Sequence, residues 1–249
     1  MIKNSMDAIV EKLEVKNGEI LVVREDLLPG GTKSRAAIPF VGKMKEYGCQ
    51  KFNYASPFCG YAQIALAIAC KKNQVECKIF AVSEKGQMSS YSKIAQDNEA
   101  QIELFDSLDS AEEHASKATG FKIPLGFNHS LYEAYFYKAL KEQFEKIKPT
   151  NNVWLPIGSG TLLRSVRKCI KNKIIGVNVK VFPLLHKKIF DLKKLPNTII
   201  IDTPEPFEDQ AHDLPPIPSN LYYDAKLWKF IYNHAKNEDI WWKIGRAHV

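Results

Sequence analysis

Apolar and polar positions along the 249 residues switch repeatedly between a helical and an extended period. Met6, Ile9, Val10 and Leu13 recur at helical spacing and predict a short helix over 5–15, closed by an Asn17-Gly18 turn. Residues 20–23 predict a strand, and the breakers Pro29-Gly30-Gly31 separate it from a helix over 33–46. Strand and helix then take turns: 52–55 before a helix over 61–72, 77–82 before 87–97, and 102–105 before 109–118. A longer helix fits 130–147. Residues 153–155 form a strand leading into Gly158-Ser159-Gly160, and a helix follows over 161–171. Further strands are expected at 178–182 and 198–201, then a surface loop over 204–218 with five prolines, a helix over 224–236 and a strand near 240–244. Repeated strand–loop–helix order predicts an α/β fold with mostly parallel sheets flanked by helices. No clean linker interrupts it, so two interleaved lobes fit better than two beads on a string.

Composition narrows the class. Hydrophobic residues make up 45% and charged residues 25%, ordinary globular usage that excludes a disordered or fibrous chain. The net charge of +7 admits anionic partners. The lysines, however, are scattered as pairs such as Lys71-Lys72 and Lys187-Lys188, which favours a generally lysine-rich surface over a dedicated nucleic-acid face. The five cysteines form no CxxC pair and no zinc-type spacing, which suggests reduced thiols. With no signal-peptide pattern and no apolar run of membrane-spanning length, the expectation is a cytoplasmic protein without membrane contact.

Two segments carry candidate chemistry. Gly158-Ser159-Gly160-Thr161 follows an apolar strand and opens a helix, so its glycines, converging N–H groups and two hydroxyls read either as a phosphate cradle or as a tight strand–helix turn. The loop is neither GxxxxGK[ST] nor a full GxGxxG, because Leu163 stands at the third glycine. Lys33 follows Gly30-Gly31 at a predicted helix start, where the positive end of the helix favours a neutral, nucleophilic amine. By itself it also reads as a surface lysine. Asp209, His212 and Asp213 in the proline-rich loop, His129, and Arg164 beyond the glycine turn are further polar candidates without an assigned task.

Taken in order, these segments resemble the fold-type II pyridoxal phosphate enzymes, the superfamily of tryptophan synthase β-chain, cysteine synthase and threonine synthase. The likeness runs toward its 1-aminocyclopropane-1-carboxylate deaminase and D-cysteine desulfhydrase branch. Residues 24–35 are similar to the segment holding the Schiff-base lysine, and 56–63 (Ser-Pro-Phe-Cys-Gly-Tyr-Ala-Gln) to the substrate-carboxylate loop. Residues 158–161 are similar to the phosphate loop, and Tyr223-Asp-Ala-Lys226 to a Tyr-x-x-Lys stretch of that branch. Tyr61 stands where relatives carry an asparagine beside the cofactor's phenolic oxygen, and Cys59 where many carry serine. Cys59 reads as a catalytic thiol or as a small packed side chain. The residue facing the pyridine nitrogen has no evident counterpart.

The resemblance implies a larger cofactor-phosphate lobe of 1–55 and 129–249 and a smaller inserted lobe of 56–128. It implies pyridoxal 5'-phosphate as cofactor, with Lys33, Tyr61, Gly158, Ser159, Gly160 and Thr161 around it. Ser56, Cys59 and Gly60 would receive an amino-acid carboxylate. The expected activity is that of a lyase, deaminase or decarboxylase in a homodimer. The basic charge and a second half shorter than in typical relatives extend the expected substrates to an amino-acid-modified nucleotide or nucleic-acid base. Rival readings are a non-catalytic anion-binding protein and a nucleotide or sugar-phosphate transferase.

Overall fold

A computed structural model describes residues 7–182 and 186–245. Its strands, in chain order, are β1 (Val10–Val15), β2 (Gly18–Arg24), β3 (Lys51–Ser56), β4 (Glu76–Val82), β5 (Gln101–Phe105), β6 (Phe121–Ile123), β7 (Val153–Ile157), β8 (Ile174–Asn178), β9 (Thr198–Asp202) and β10 (Ile240–Lys243). The helices are α1 (Gly31–Glu46), α2 (Ala62–Asn73), α3 (Ser90–Asp97), α4 (Leu108–Lys117), α5 (Ser130–Ile147), α6 (Thr161–Cys169), α7 (Lys187–Lys193) and α8 (Trp228–His234). The chain divides into two compact units, one of residues 7–28 and 137–245 and one of 29–136. No helix among the described residues is long and apolar enough to cross a membrane.

The first unit holds a six-stranded sheet in the order β1-β2-β10-β7-β8-β9, parallel except for the β1–β2 hairpin. β7 and β8 are buried along their whole length, as a sheet covered on both faces requires. Pro156 is tolerated in the central β7 because the ladder to β10 covers only Val153 and Trp154, so the missing N–H falls beyond it. The core is aromatic: Trp242 meets Phe144 at 4.7 Å and Trp241 stacks on Trp228 at 6.0 Å. The indole N–H of buried Trp154 donates to Asp239 at 2.8 Å, so that ring brings no unpaired donor inside.

The second unit holds a four-stranded parallel sheet in the order β5-β4-β3-β6. Ala111 and Ala115 let α4 lie close on Ala55 and Phe80 of the sheet. α1 runs against α2 through small residues. A Cβ at Gly30 would stand 3.0 Å from the Ala65 Cα, and one at Gly42 would stand 2.8 Å from the Asn73 amide oxygen. The Asn73 amide N–H donates to the Ile38 and Ala69 carbonyls and so ties the two helices together.

Three expectations need correction. Residues 10–15 form a strand, not part of a helix over 5–15, because pairing with β2 across the Lys16-Asn17 turn outweighs a local helical spacing; residues 1–6 lie outside the described residues. The strand expected over 178–182 lies earlier, at Ile174–Asn178. Asn178 ends it: its side-chain oxygen accepts the Lys180 N–H at 3.1 Å, and Lys180 turns to φ 65°. The helix over 224–236 opens as a 3₁₀ turn, Asp224–Leu227, before α8. β6 and α7 were not anticipated; both are short. The division at 55/56 also differs from the observed units, which keep residues 29–55 with the sheet that β3 belongs to.

Candidate cofactor site

In the second unit, Gly30 (φ 79°) and Gly31 (φ 62°) take successive left-handed conformations that side chains other than glycine resist, and α1 begins there. Lys33 sits in the first turn, half-buried, its carbonyl accepting the Tyr132 hydroxyl at 3.2 Å. Backbone N–H groups in a first helical turn have no intrahelical partner, so this end carries positive potential.

Ser56 is the last residue of β3, the usual place for a binding loop in a parallel sheet. The loop folds tightly: the Gly60 N–H donates to the Pro57 carbonyl at 2.9 Å, and a Cβ at Gly60 would fall 2.5 Å from the Ser56 hydroxyl. Ser56 and Gly60 are thus brought together, and only glycine fits at 60. Cys59 is fully buried, and buried Tyr61 meets Tyr91 edge to face at 6.4 Å. Behind the loop lies a support unforeseen in the sequence. Gln63 Nε2 donates to the Gly60 carbonyl at 3.0 Å, Ser92 Oγ donates to Gln63 Oε1 at 3.0 Å, and Ser89 Oγ donates to the Phe58 carbonyl at 2.7 Å. These three buried side chains hold the loop's shape; each is an unremarkable polar residue until the fold joins it to residues about 30 positions away.

In the first unit, β7 runs through Gly158-Ser159-Gly160 into α6. Gly160 caps α6 at φ 83°, and a Cβ there would stand 2.5 Å from Leu192 of α7. Ser159 Oγ and Thr161 Oγ1 lie 3.1 Å apart, and Arg164 Nη2 donates to Thr161 Oγ1 at 3.3 Å, so Arg164 does turn toward the glycine turn. Half-buried Tyr223 borders the same turn, its ring 3.1 Å from where a Gly158 Cβ would be. Two hydroxyls, a guanidinium and the start of a helix form a donor set that fits a phosphate dianion. The two hydroxyls were already legible in the sequence; the direction of the Arg164 side chain was not.

The same unit carries a buried ionic cluster. Arg24 grips Asp26 through two hydrogen bonds of 2.9 and 3.0 Å and also pairs with Glu11; fully buried Lys243 meets Asp26 at 2.7 Å. Asp224, also fully buried, accepts the Ile244 and Gly245 N–H groups at 2.9 and 3.2 Å. Burial works to raise the Asp26 carboxyl, yet hydrogen bonds from Arg24 and the charge of Lys243 leave it below its ordinary value. Burial likewise lowers Lys243. For Asp224 burial outweighs Lys243 and the backbone donors, and the carboxyl is pushed up to about 7.

Asp224 therefore has a pH consequence. Between its ordinary 3.8 and about 7, the folded chain keeps a proton that the unfolded chain has released. Its contribution to stability is whole below that window and is lost as pH rises through it. Asp26 works in the opposite sense: its contribution is present above 3.8 and is lost as pH falls through its lowered folded value. Asp224→Asn is expected to flatten the pH dependence of the urea midpoint across the window from 3.8 to about 7. Equal slopes in the variant and the wild type would refute the assignment.

Asp209, His212 and Asp213 lie in the loop before Tyr222, where Gln210 Nε2 donates to the Tyr222 hydroxyl at 3.3 Å. His129 packs between Phe40 and Phe121, with ring centroids 5.1 and 5.8 Å away, and its Nδ1 accepts the Leu131 N–H at the start of α5.

The observed architecture is α/β, with mostly parallel sheets flanked by helices in two units, as the alternation of strands and helices along the sequence predicts. Among solved structures, the chain is similar to an ACC deaminase homologue over 96% of its own length and 89% of that chain, with TM-score 0.77 and 12% identity. It is similar to a hydrogen sulfide-producing enzyme from Fusobacterium nucleatum (97% and 95% covered, TM-score 0.69, 17% identity) and to O-ureido-L-serine synthase (96% and 89%, TM-score 0.71, 14% identity). At these identities the likeness defines the fold. No family model and no curated protein matches the sequence.

Proposed function

We propose that this chain is a pyridoxal phosphate-dependent lyase, deaminase or decarboxylase acting on an amino acid or a substrate carrying an amino-acid group. The observation that carries the reading is the 158–161 turn, where Ser159, Thr161 and Arg164 gather at the start of α6 in a donor set suited to the cofactor's phosphate. The fold shared with an ACC deaminase homologue and a hydrogen sulfide-producing enzyme supports it.

In this reading Lys33 Nζ holds the cofactor and moves a proton at the substrate α-carbon. The hydroxyls of Ser159 and Thr161, with Arg164, bind the phosphate. Ser56 Oγ and the backbone N–H groups of the 56–61 loop bind the substrate carboxylate, with Cys59 and Gly60 shaping that loop. Tyr61 orients the cofactor from the side of its phenolic oxygen. When bound, pyridoxal phosphate supplies an electron sink for the charge that develops at the α-carbon. A homodimer in the cytoplasm is part of the proposal and rests on the resemblance alone.

The test is retention. Protein incubated with pyridoxal phosphate and desalted should keep the cofactor's visible absorbance, inorganic phosphate should slow the loading, and a substrate amino acid should shift the spectrum. Binding of inorganic phosphate without retention of pyridoxal phosphate would sink the proposal in favour of the anion-binding reading.

A further inference from the structure

The lysine pairs that look scattered along the sequence are not evenly spread. Residues 164–194 hold ten lysines and arginines and one acid, Asp191, while the whole chain carries +7, so the rest of the chain is slightly acidic. The fold gathers this segment onto one side of the first unit. α6 and α7 lie side by side, since a Cβ at Gly160 would stand 2.5 Å from Leu192. The turns that follow the two helices are tied together. Arg167 Nη1 donates to the Asn172, Pro196 and Asn197 carbonyls at 2.8, 3.1 and 3.2 Å, and Asn197 Nδ2 donates to the Lys171 carbonyl at 3.2 Å.

Lys168, Lys171, Lys173, Lys187 and Lys193 are exposed here, and among the described residues none of them has a carboxylate within ion-pair distance. Asp191, the one acid of the segment, pairs with Lys194 at 3.1 Å. Elsewhere lysines commonly face carboxylates, as in Lys12–Glu19, Lys51–Glu76 and Lys78–Glu103. Two rings sit among the cations. Phe190 is 57% exposed with Lys194 Nζ 4.4 Å from its centroid, and half-buried Phe182 carries Lys188 Nζ at 4.5 Å. Like charges gathered without counter-charges repel one another, and a polyanion laid over them removes that cost.

We infer that the outer face of α6 and α7, with the turns that follow them, docks single-stranded nucleic acid, its lysines neutralising phosphates and Phe190 stacking on a base. An array of point charges suits a repeating phosphodiester, and unpaired bases offer flat faces to an exposed ring. A duplex keeps its bases stacked inside and gives Phe190 nothing to cover. A bilayer needs an apolar helical face, and α7 has spent its own, because Ile189 and Leu192 are buried. An acidic peptide would answer the lysines but leave the ring uncovered. Neither the five lysines nor Phe190 is among the residues proposed to hold the cofactor, so the inference stands apart from that reading.

The test is fluorescence anisotropy of the full-length protein, without pyridoxal phosphate, against a labelled oligouridine of about 20 nucleotides, longer than a single binding site. Raising salt from about 50 to about 200 mM should weaken binding by about 10²-fold, the expectation for about five phosphates neutralised on a single strand. Lys171→Gln, Lys173→Gln and Lys193→Gln together should flatten the slope of log K against log salt by about 2. Phe190→Ala should weaken binding by about 10-fold and leave the slope unchanged. If a variant fails to fold, ultraviolet crosslinking of the wild type decides: nucleotide mass should appear on the tryptic peptide 189–193, which carries Phe190. Absent or salt-insensitive binding, crosslinks confined to the second unit, a duplex bound as tightly as the single strand, or tighter capture by vesicles of phosphatidylcholine and phosphatidylserine would each overturn the inference.

Discussion

Lys33→Ala is expected to abolish retention of pyridoxal phosphate through desalting and to lower turnover by about 10²–10⁴-fold, the range for loss of a positioned proton-transfer group. Borohydride treatment of the loaded wild type should leave cofactor mass on the tryptic peptide containing Lys33, and on no other. The variant separates two roles. Its 158–161 turn is intact, so weak phosphate-competed binding should persist while covalent labelling disappears. The Lys33 side chain lies in the first turn of α1 while its backbone is held by Tyr132, so alanine there should leave the second unit folded. Labelling at a different lysine, or undiminished labelling in the variant, would end the assignment of Lys33.

Asp26→Ala is expected to cost about 3–5 kcal/mol of stability, because it strands the buried Lys243 ammonium and removes one of the two carboxylates that Arg24 pairs with. Arg24 would keep Glu11, but Lys243 would keep only the electrostatic influence of Asp224, which is itself protonated over part of the ordinary pH range. The measurement is the urea midpoint at fixed pH, with the slope of the transition checked for constancy. Asp26→Ala combined with Lys243→Met should recover part of the loss, since the second change removes the orphaned charge instead of adding a contact. A double variant no more stable than the single would show that the loss lies in packing and not in the unpaired ammonium.

Much of the fold was legible because its punctuation is local. Glycine and proline at 29–31 and glycines at 158 and 160 mark the ends of apolar runs short enough to be strands, and the glycine turn could be picked out from that spacing, whereas Lys33 stood out only through the resemblance carried by residues 24–35. What was not legible depends on distant partners. Val10 through Val15 fits two periods equally well until β2 is available to pair with it. The strand at Ile174–Asn178 was displaced because Val179 and Val181 extend the apolar run past the Asn178 turn that ends it. In the candidate site, Leu192 under Gly160, Tyr223 beside Gly158, and the Gln63–Ser92 pair behind the 56–61 loop are contacts across about 30 to 65 residues of chain, and no local pattern announces them. The buried cluster is the extreme case: Lys243 and Asp26 lie at opposite ends of the sequence and read separately as ordinary surface charges.

The position of β10 has a consequence for how the chain can be made. Its four residues stand in the middle of the six-stranded sheet, hydrogen-bonded to β2 on one side and β7 on the other, although they follow every other described strand in the chain. During translation the continuous stretch 29–136 can collapse on its own sheet early, while the hairpin that precedes it waits, unmatched along one edge, for a plank that arrives only after β9. Cutting the chain before Ile240 therefore does not shave an edge; it removes the seam that joins the β1–β2 hairpin to the rest of its sheet.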